Sequence, residues 1–183
     1  RTVYAVLQLE ADLLCVTGNC PTLNDWSLEW SEGISVSGRA YEYDGTSTTT
    51  SGTVAVAVNG VLQAGKTGTI QPDGTWSISN VSAFEDQTVM VFVDGATDAN
   101  EAVAIATYDG VGDMTNLELT KRHVVVGSSD TATTTNTTLF GYDHTDDEDI
   151  FIDISAGGDF NLCIEGCADT RIKVRSGSRY QPL

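Results

Sequence analysis

Basic side chains are scarce: nine lysines and arginines stand against 26 aspartates and glutamates, a net charge of −17 over 183 residues. Phosphate recognition needs clustered Lys and Arg, so a nucleic-acid partner is not expected. An anionic membrane surface would repel the same body. No apolar run is long enough to span a bilayer, and membrane insertion is not expected either. Histidine is limited to His123 and His144, and no G-x-S-x-G elbow occurs. Carboxylates are so abundant that no pair singles itself out as a glycosidase dyad. With no recognisable catalytic motif, the expectation is a protein that is not an enzyme. Leu-, Lys- and Glu-rich helical stretches are missing too, while Thr, Ser, Gly and Val dominate, which is the composition of an all-β protein.

Four cysteines form two close pairs, Cys15 with Cys20 and Cys163 with Cys167. Neither pair has C-x-x-C spacing or a nearby histidine, which argues against zinc. Close pairs suit disulfides made in an oxidising compartment. Three connectivities are open within one chain: two with both bridges tying the chain ends together across long loops, and one with two local bridges. Bridges between subunits are open as well. No signal peptide is visible and the chain starts at Arg1, as expected of a processed or excerpted protein. An extracellular or cell-surface location follows as the expectation.

The pattern along the chain predicts three parts: residues 1–33, a strand-like N-terminal extension and disulfide connector; 34–120, a β-sandwich; and 121–183, an additional C-terminal β layer with a basic tail. In the middle part, ISVSGRAYEY, GTVAVAV, VLQAGKTGTI, TWSISNV, QTVMVFVDG and EAVAIATYDG read as strands at fairly even spacing. Asn59-Gly60 is a two-residue hairpin signal. Asp44-Gly45 and Pro72-Asp73-Gly74 are turn signals. Trp76, followed by Ile78, is expected in the core. MTNLEL and HVVV are two further strands, and the polar run SSDTATTTNTT follows them. IFIDIS and DFNLCIEGC follow.

The strands GISVSGRAYEYDG, TVAVAVNGVLQAGKTGTIQPDGTWSISNV, VMVFVDG, LELTKRHVVVG and YDHTDDEDIFIDIS resemble the immunoglobulin-like modules of large repetitive bacterial cell-surface proteins. In those modules a G-x-W-x-I-x-N-V strand, a V-F-V-D-G strand and an N-x-L-x-R strand recur in this order. The resemblance covers about residues 33–155 and departs from the third motif at Arg122-His123-Val124. It implies an immunoglobulin-like β-sandwich with a secreted or surface-displayed structural role, and its motifs carry no active site.

Asp143, Asp146, Asp147, Glu148 and Asp149 form an acidic run. Calcium takes six to eight oxygen ligands, and a loop this dense could supply several. It lacks the EF-hand order of ligands, and a solvated acidic loop is the competing reading. Asp94, Asp98 and Glu101, and Asp109 with Asp113, are weaker candidates on turn tips. No other cofactor is implied. His123, at the head of an apolar strand, is expected to be a half-buried structural residue. The sequons at Asn80 and Asn136 would permit N-linked glycans in a suitable host, and the threonine-rich runs 48–51 and 131–138 would permit O-linked ones. Trp26 and Trp30 suit a plug at a core edge or a sugar platform.

Both chain ends alternate like strands. Residues 1–9 offer Val3, Ala5, Leu7 and Leu9 on one face, or Tyr4 and Val6 on the other. The tail places Arg171, Lys173 and Arg175 on one face and Ile172 and Val174 on the opposite one. A basic edge strand guards against aggregation. The same strand can also join a neighbour's sheet, inserting its apolar residues and laying its basic face on an acidic surface. The expectation is a structural subunit of an extracellular filament or surface polymer. Copies of the chain would assemble head to tail by strand donation, with residues 1–9 favoured as the donor. An adhesive or carbohydrate-binding module of a larger surface protein and an accessory domain of a secreted hydrolase are the alternatives.

Overall fold

A computed structural model describes residues 33–95, 100–130, 133–135, 138–139, 150–154, 160–164 and 171–181, with backbone alone for 150–154 and 160–164. The chain separates into two units, Arg1–Trp30 and Ser31–Leu183, and the described residues all belong to the second. Their regular structure is all strand: β1 Ile34–Tyr41, β2 Thr53–Val58, β3 Val61–Thr69, β4 Thr75–Val81, β5 Thr88–Asp94, β6 Val103–Thr107, β7 Met114–Thr120, β8 His123–Val126, β9 Thr133–Thr135, β10 Ile150–Ile154, β11 Phe160–Ile164, β12 Arg171–Val174 and β13 Arg179–Gln181.

Two main sheets result, one of three strands in the order β4-β1-β7 and one of six in the order β12-β8-β6-β5-β2-β3. Their inner faces share one apolar cluster. Val36, Trp76, Ile78, Met114, Leu117 and Leu119 come from the small sheet, and alternate residues of β2, β5, β6 and β8 come from the large one. This is a sandwich-like packing. The large sheet is apolar on its other face as well, where Ala55, Ala57, Met90, Phe92, Ile105 and Val126 form a second cluster. The run GTVAVAV therefore records an alternation of size rather than of polarity. Its valines face the small sheet and its alanines face outward, and both sets are buried. Each buried valine removes enough surface from water to contribute on the order of 1.5–3 kcal/mol.

The local turn chemistry agrees with the sequence. Asn59 and Gly60 both take positive φ, 48° and 74°, the geometry that lets a two-residue turn follow the strand twist. Asn59 Oδ1 also accepts the Thr88 amide at 2.9 Å, tying the hairpin to β5. Trp76 lies in the core at 3% exposure.

The polar run after β8 contains a strand, β9, which pairs with β13. One expectation changes. The division at residue 120 does not separate sheets: β8 and β12 are hydrogen-bonded into the large sheet beside β6. The physical reason is that Val124, Val125 and Val126 are apolar on both faces of their strand, and only a central sheet position buries both. Of the C-terminal part, the β10–β11 hairpin forms a sheet of its own.

One irregularity shapes the region around the tail. Val36 pairs with Met114 but Gly38 with Leu117, so β7 holds one extra residue there. Asn116, inside this bulge, has φ 59°. The bulge drives the Leu117 carbonyl against Gly38, where a Cβ would lie 1.6 Å from the oxygen.

Candidate assembly site

The two edges of the large sheet differ. Along β3, Gly65 turns to φ 73° in mid-strand and Lys66 follows it. The β2–β3 register also shifts between Ala55 and Ala57. A bulged, charged edge is a poor template for another strand. At the opposite side β12 is the edge strand, and β8 beneath it is regular and buried at each of its four positions. Its backbone donors and acceptors need a partner, and the C-terminal tail supplies one.

β12 lies parallel to β8 in the register Arg171↔His123, Ile172↔Val124, Lys173↔Val125 and Val174↔Val126. The Arg171 amide donates to the Arg122 carbonyl at 3.2 Å, and the Arg175 amide donates to the Val126 carbonyl at 3.0 Å. Paired residues in a ladder point the same way. Arg171 and Lys173 therefore face the small sheet, together with Val125, while Ile172 and Val174 share the outward face of Val124 and Val126.

The basic side chains close the open side of the sandwich. Lys173 Nζ donates to Glu118 Oε1 on β7. Arg175 Nη1 donates to the carbonyl of Asn116, the residue turned aside by the bulge, and lies 3.7 Å from Glu118 Oε2. The Arg171 guanidinium sits 5.2 Å over the Tyr43 ring, and the same ring packs at 5.6 Å against His123. Lys121 pairs with Glu42 at 2.8 Å on the neighbouring turn. Farther along, Gly127 takes φ 113° and leaves a notch that Ser178 fills; a Cβ at Gly127 would stand 2.1 Å from Ser178 Oγ. β13 then runs parallel to β9, and Tyr180 packs on the outer apolar cluster. That burial raises the Tyr180 phenol above its ordinary pKa.

These contacts hold the strand without locking it. A surface ion pair contributes about 0–1 kcal/mol; the Glu118 carboxylate is only 14% exposed, so its pair with Lys173 is screened less than that, and an exposed cation–π contact adds about 0.5–1 kcal/mol. Ordering a long basic side chain costs up to about 1.5–2 kcal/mol. Ordering offsets part of these terms, and the backbone ladder, the part-buried Glu118 pair and Tyr180 make up the net hold.

Two aspartate caps shape the turns near this seat. Asp44 accepts the amides of Thr46 and Ser47 and the Ser47 hydroxyl, at 2.7–2.8 Å. The Thr46 amide is the largest of the causes that hold its carboxyl at about 2, below the ordinary 3.8. Asp73 is lowered in the same direction, chiefly by the Thr75 hydroxyl and then by the Thr75 amide. A carboxyl whose folded pKa is depressed stabilises the fold above its unfolded pKa, and that stability is lost as pH falls toward the folded value. Because the Asp44 turn presents Tyr43 to Arg171, acid should loosen both. Urea midpoints of the wild-type chain should drop between pH 4 and pH 2 more steeply than those of Asp44→Asn; parallel slopes would contradict this.

The structure brings together only some of the residues expected from the sequence. Arg171, Lys173 and Arg175 meet at one edge. Ile172 and Val174 stay 37% and 43% exposed in this seat, because the side of the strand facing the protein meets Glu118 and Tyr43. Val3, Tyr4, Ala5, Val6, Leu7, Leu9, Trp26, Trp30, Cys15, Cys20, Cys167, Asn136 and the acidic run Asp143, Asp146, Asp147, Glu148, Asp149 lie outside the described residues. Cys163 is seen only as backbone, opposite Phe151.

Of the weaker cation candidates, Asp113 accepts the Ser35 amide, Asp109 accepts the Val111 amide, and Glu101 is fully buried. Among the described residues no group of three or more His, Cys, Asp or Glu could hold a metal ion. His123 is buried at 9% exposure, with Nδ1 2.7 Å from the Lys121 carbonyl, deeper than expected and structural. Asn80 is exposed at the end of β4.

Sequence reasoning did not single out Tyr43, Glu118, Asn116, Gly127 or Tyr180. Only Glu118 left a signal, as the one acidic residue on a strand flanked by Leu117 and Leu119. Comparison of the chain with family models, with curated proteins and with solved structures finds no match.

Proposed function

We propose that this chain is a structural subunit without catalytic activity, working outside the cell or on its surface. Copies of it assemble head to tail into a filament or surface polymer by β-strand donation. The observation that carries the reading is the tail. A short strand from the chain end completes a regular sheet edge, through its backbone and a cationic face, while the opposite edge is broken by a bulge. One acceptor edge and one donor strand per copy make a heterologous contact, which propagates when it does not close. The immunoglobulin-like kinship belongs to the same proposal. Its support is that the motif strands TWSISNV, VMVFVDG and LELTKRHVVVG fall on β4, on β5 and on β7 with β8. Copies of the chain are the partner in this reading, with neither nucleic acid nor membrane insertion involved. Calcium on residues 143–149 and surface glycans stay secondary parts of it.

Negative-stain microscopy of native material tests the reading. Extended fibres that a specific antibody to the chain decorates along their length are the expected result. Undecorated fibres, or isolated particles of one subunit, would overturn it.

A further inference from the structure

We infer that the strand seated on the β8 edge is exchangeable, and that in the assembled state the edge is filled by residues 171–181 of a second copy of this chain. The inference rests on the strand-donation reading and names its donor.

The pairing is parallel, so no hairpin turn dictates which chain supplies the strand. Residues 127–170 separate β8 from β12, and the cost of closing a loop rises only slowly with its length. A tail from a neighbour makes the same ladder and the same side-chain contacts as the chain's own tail. The strand leaves easily, because its aliphatic residues Ile172 and Val174 are already half exposed. Its register in a new seat is fixed by features that belong to the acceptor: the Tyr43 ring, the Glu118 carboxylate, the Asn116 carbonyl and the Gly127 notch that takes Ser178.

Charge marks the tail as the strand that fits a β8 edge, its own or a neighbour's. Residues 171–183 hold four of the nine basic residues and none of the 26 acidic ones. The remainder of the chain thus has five basic residues against 26 acidic. A cationic tail is drawn to the strongly anionic body of any copy, and the specific contacts then select the β8 edge.

Two charge-reversed variants separate exchange from self-completion. One is Glu118→Lys, which alters the acceptor. The other is Lys173→Glu with Arg175→Glu, which alters the donor. Each alone places like charges across the contact and should sediment as single subunits at a concentration where the wild-type chain assembles. Mixed in equal amounts, each tail finds an edge of opposite charge on the other variant, and the assembled fraction should rise at least about tenfold. The chain carrying all three substitutions should assemble unmixed, which shows that the substitutions are tolerated by the fold.

Mixed variants that stay as single subunits while the triple variant assembles would overturn the inference. Variants that each assemble like wild type would also overturn it and point to residues 1–9 as the donor, leaving strand donation standing. A wild-type chain that never assembles removes both.

Discussion

Gly38→Ala should cost the domain at least about 3 kcal/mol, at the upper end of what overpacking does. An added Cβ would lie 1.6 Å from the Leu117 carbonyl oxygen and 2.8 Å from Trp76 Cζ2. Neither neighbour can give way cheaply. The oxygen belongs to backbone fixed by the β1–β7 ladder, and the indole is buried in the shared core. The two strands must part, and the core that Val36, Trp76 and Leu117 build between them opens with them. At about 2–4 °C per kcal/mol for a domain of this size, the melting temperature should fall by roughly 10 °C. Gly65→Ala is the control. Its φ of 73° makes a side chain strained, but the added methyl meets nothing within 4 Å. That change should cost only about 1–2 kcal/mol. Equal losses in the two variants would show that the clash at the β7 bulge has been misread.

Ending the chain at residue 170 should separate folding from assembly. None of the inner core comes from β12 or β13, so the two facing sheets should still form and melt cooperatively. The loss is the β8 cover, the rim pairs and Tyr180. With the side-chain terms partly offset by ordering entropy, the drop in stability should be about 1–3 kcal/mol. The effect on association should be complete: no species above a single subunit. A synthetic peptide of residues 171–183 should then bind the empty edge and raise the melting temperature with its concentration. The same peptide with glutamate in place of Arg171, Lys173 and Arg175 should not. A truncated chain that assembles like wild type, or that ignores the peptide, would sink the view of β8 as an acceptor.

Local rules made most strands legible. Asn59-Gly60 could form little else than a tight hairpin, and Asp73-Gly74 marked the turn before β4. The division of the tail into a basic and an aliphatic face was legible too. Which face would turn inward was not, because that depends on what β8 and β7 present: Tyr43 and Glu118, brought to one rim by strands far apart in sequence. The same holds for the bulge at Asn116, which arises from a pairing between β1 and β7 that no local pattern encodes. β9 and β13 are three-residue strands of polar or mixed composition. They exist because they pair with each other, and their own periodicity carries no signal. GTVAVAV misleads in another way, since valine and alanine alternate alike whether one face is wet or both are packed.

Charge sets the conditions for the decisive experiment. Copies carrying −17 repel one another at long range, while the Lys173–Glu118 contact acts at hydrogen-bond range. At about 0.15 M salt the screening length is about 8 Å, which suppresses the repulsion and spares the contact; at about 1 M it shrinks to about 3 Å and the contact weakens as well. Sedimentation velocity of the unmodified chain near 0.15 M salt, over a wide range of concentration, tests strand donation most directly. The expected result is a distribution that moves to ever larger species as concentration rises, without stopping at a closed dimer. A single species of 19.4 kDa at every concentration would contradict it.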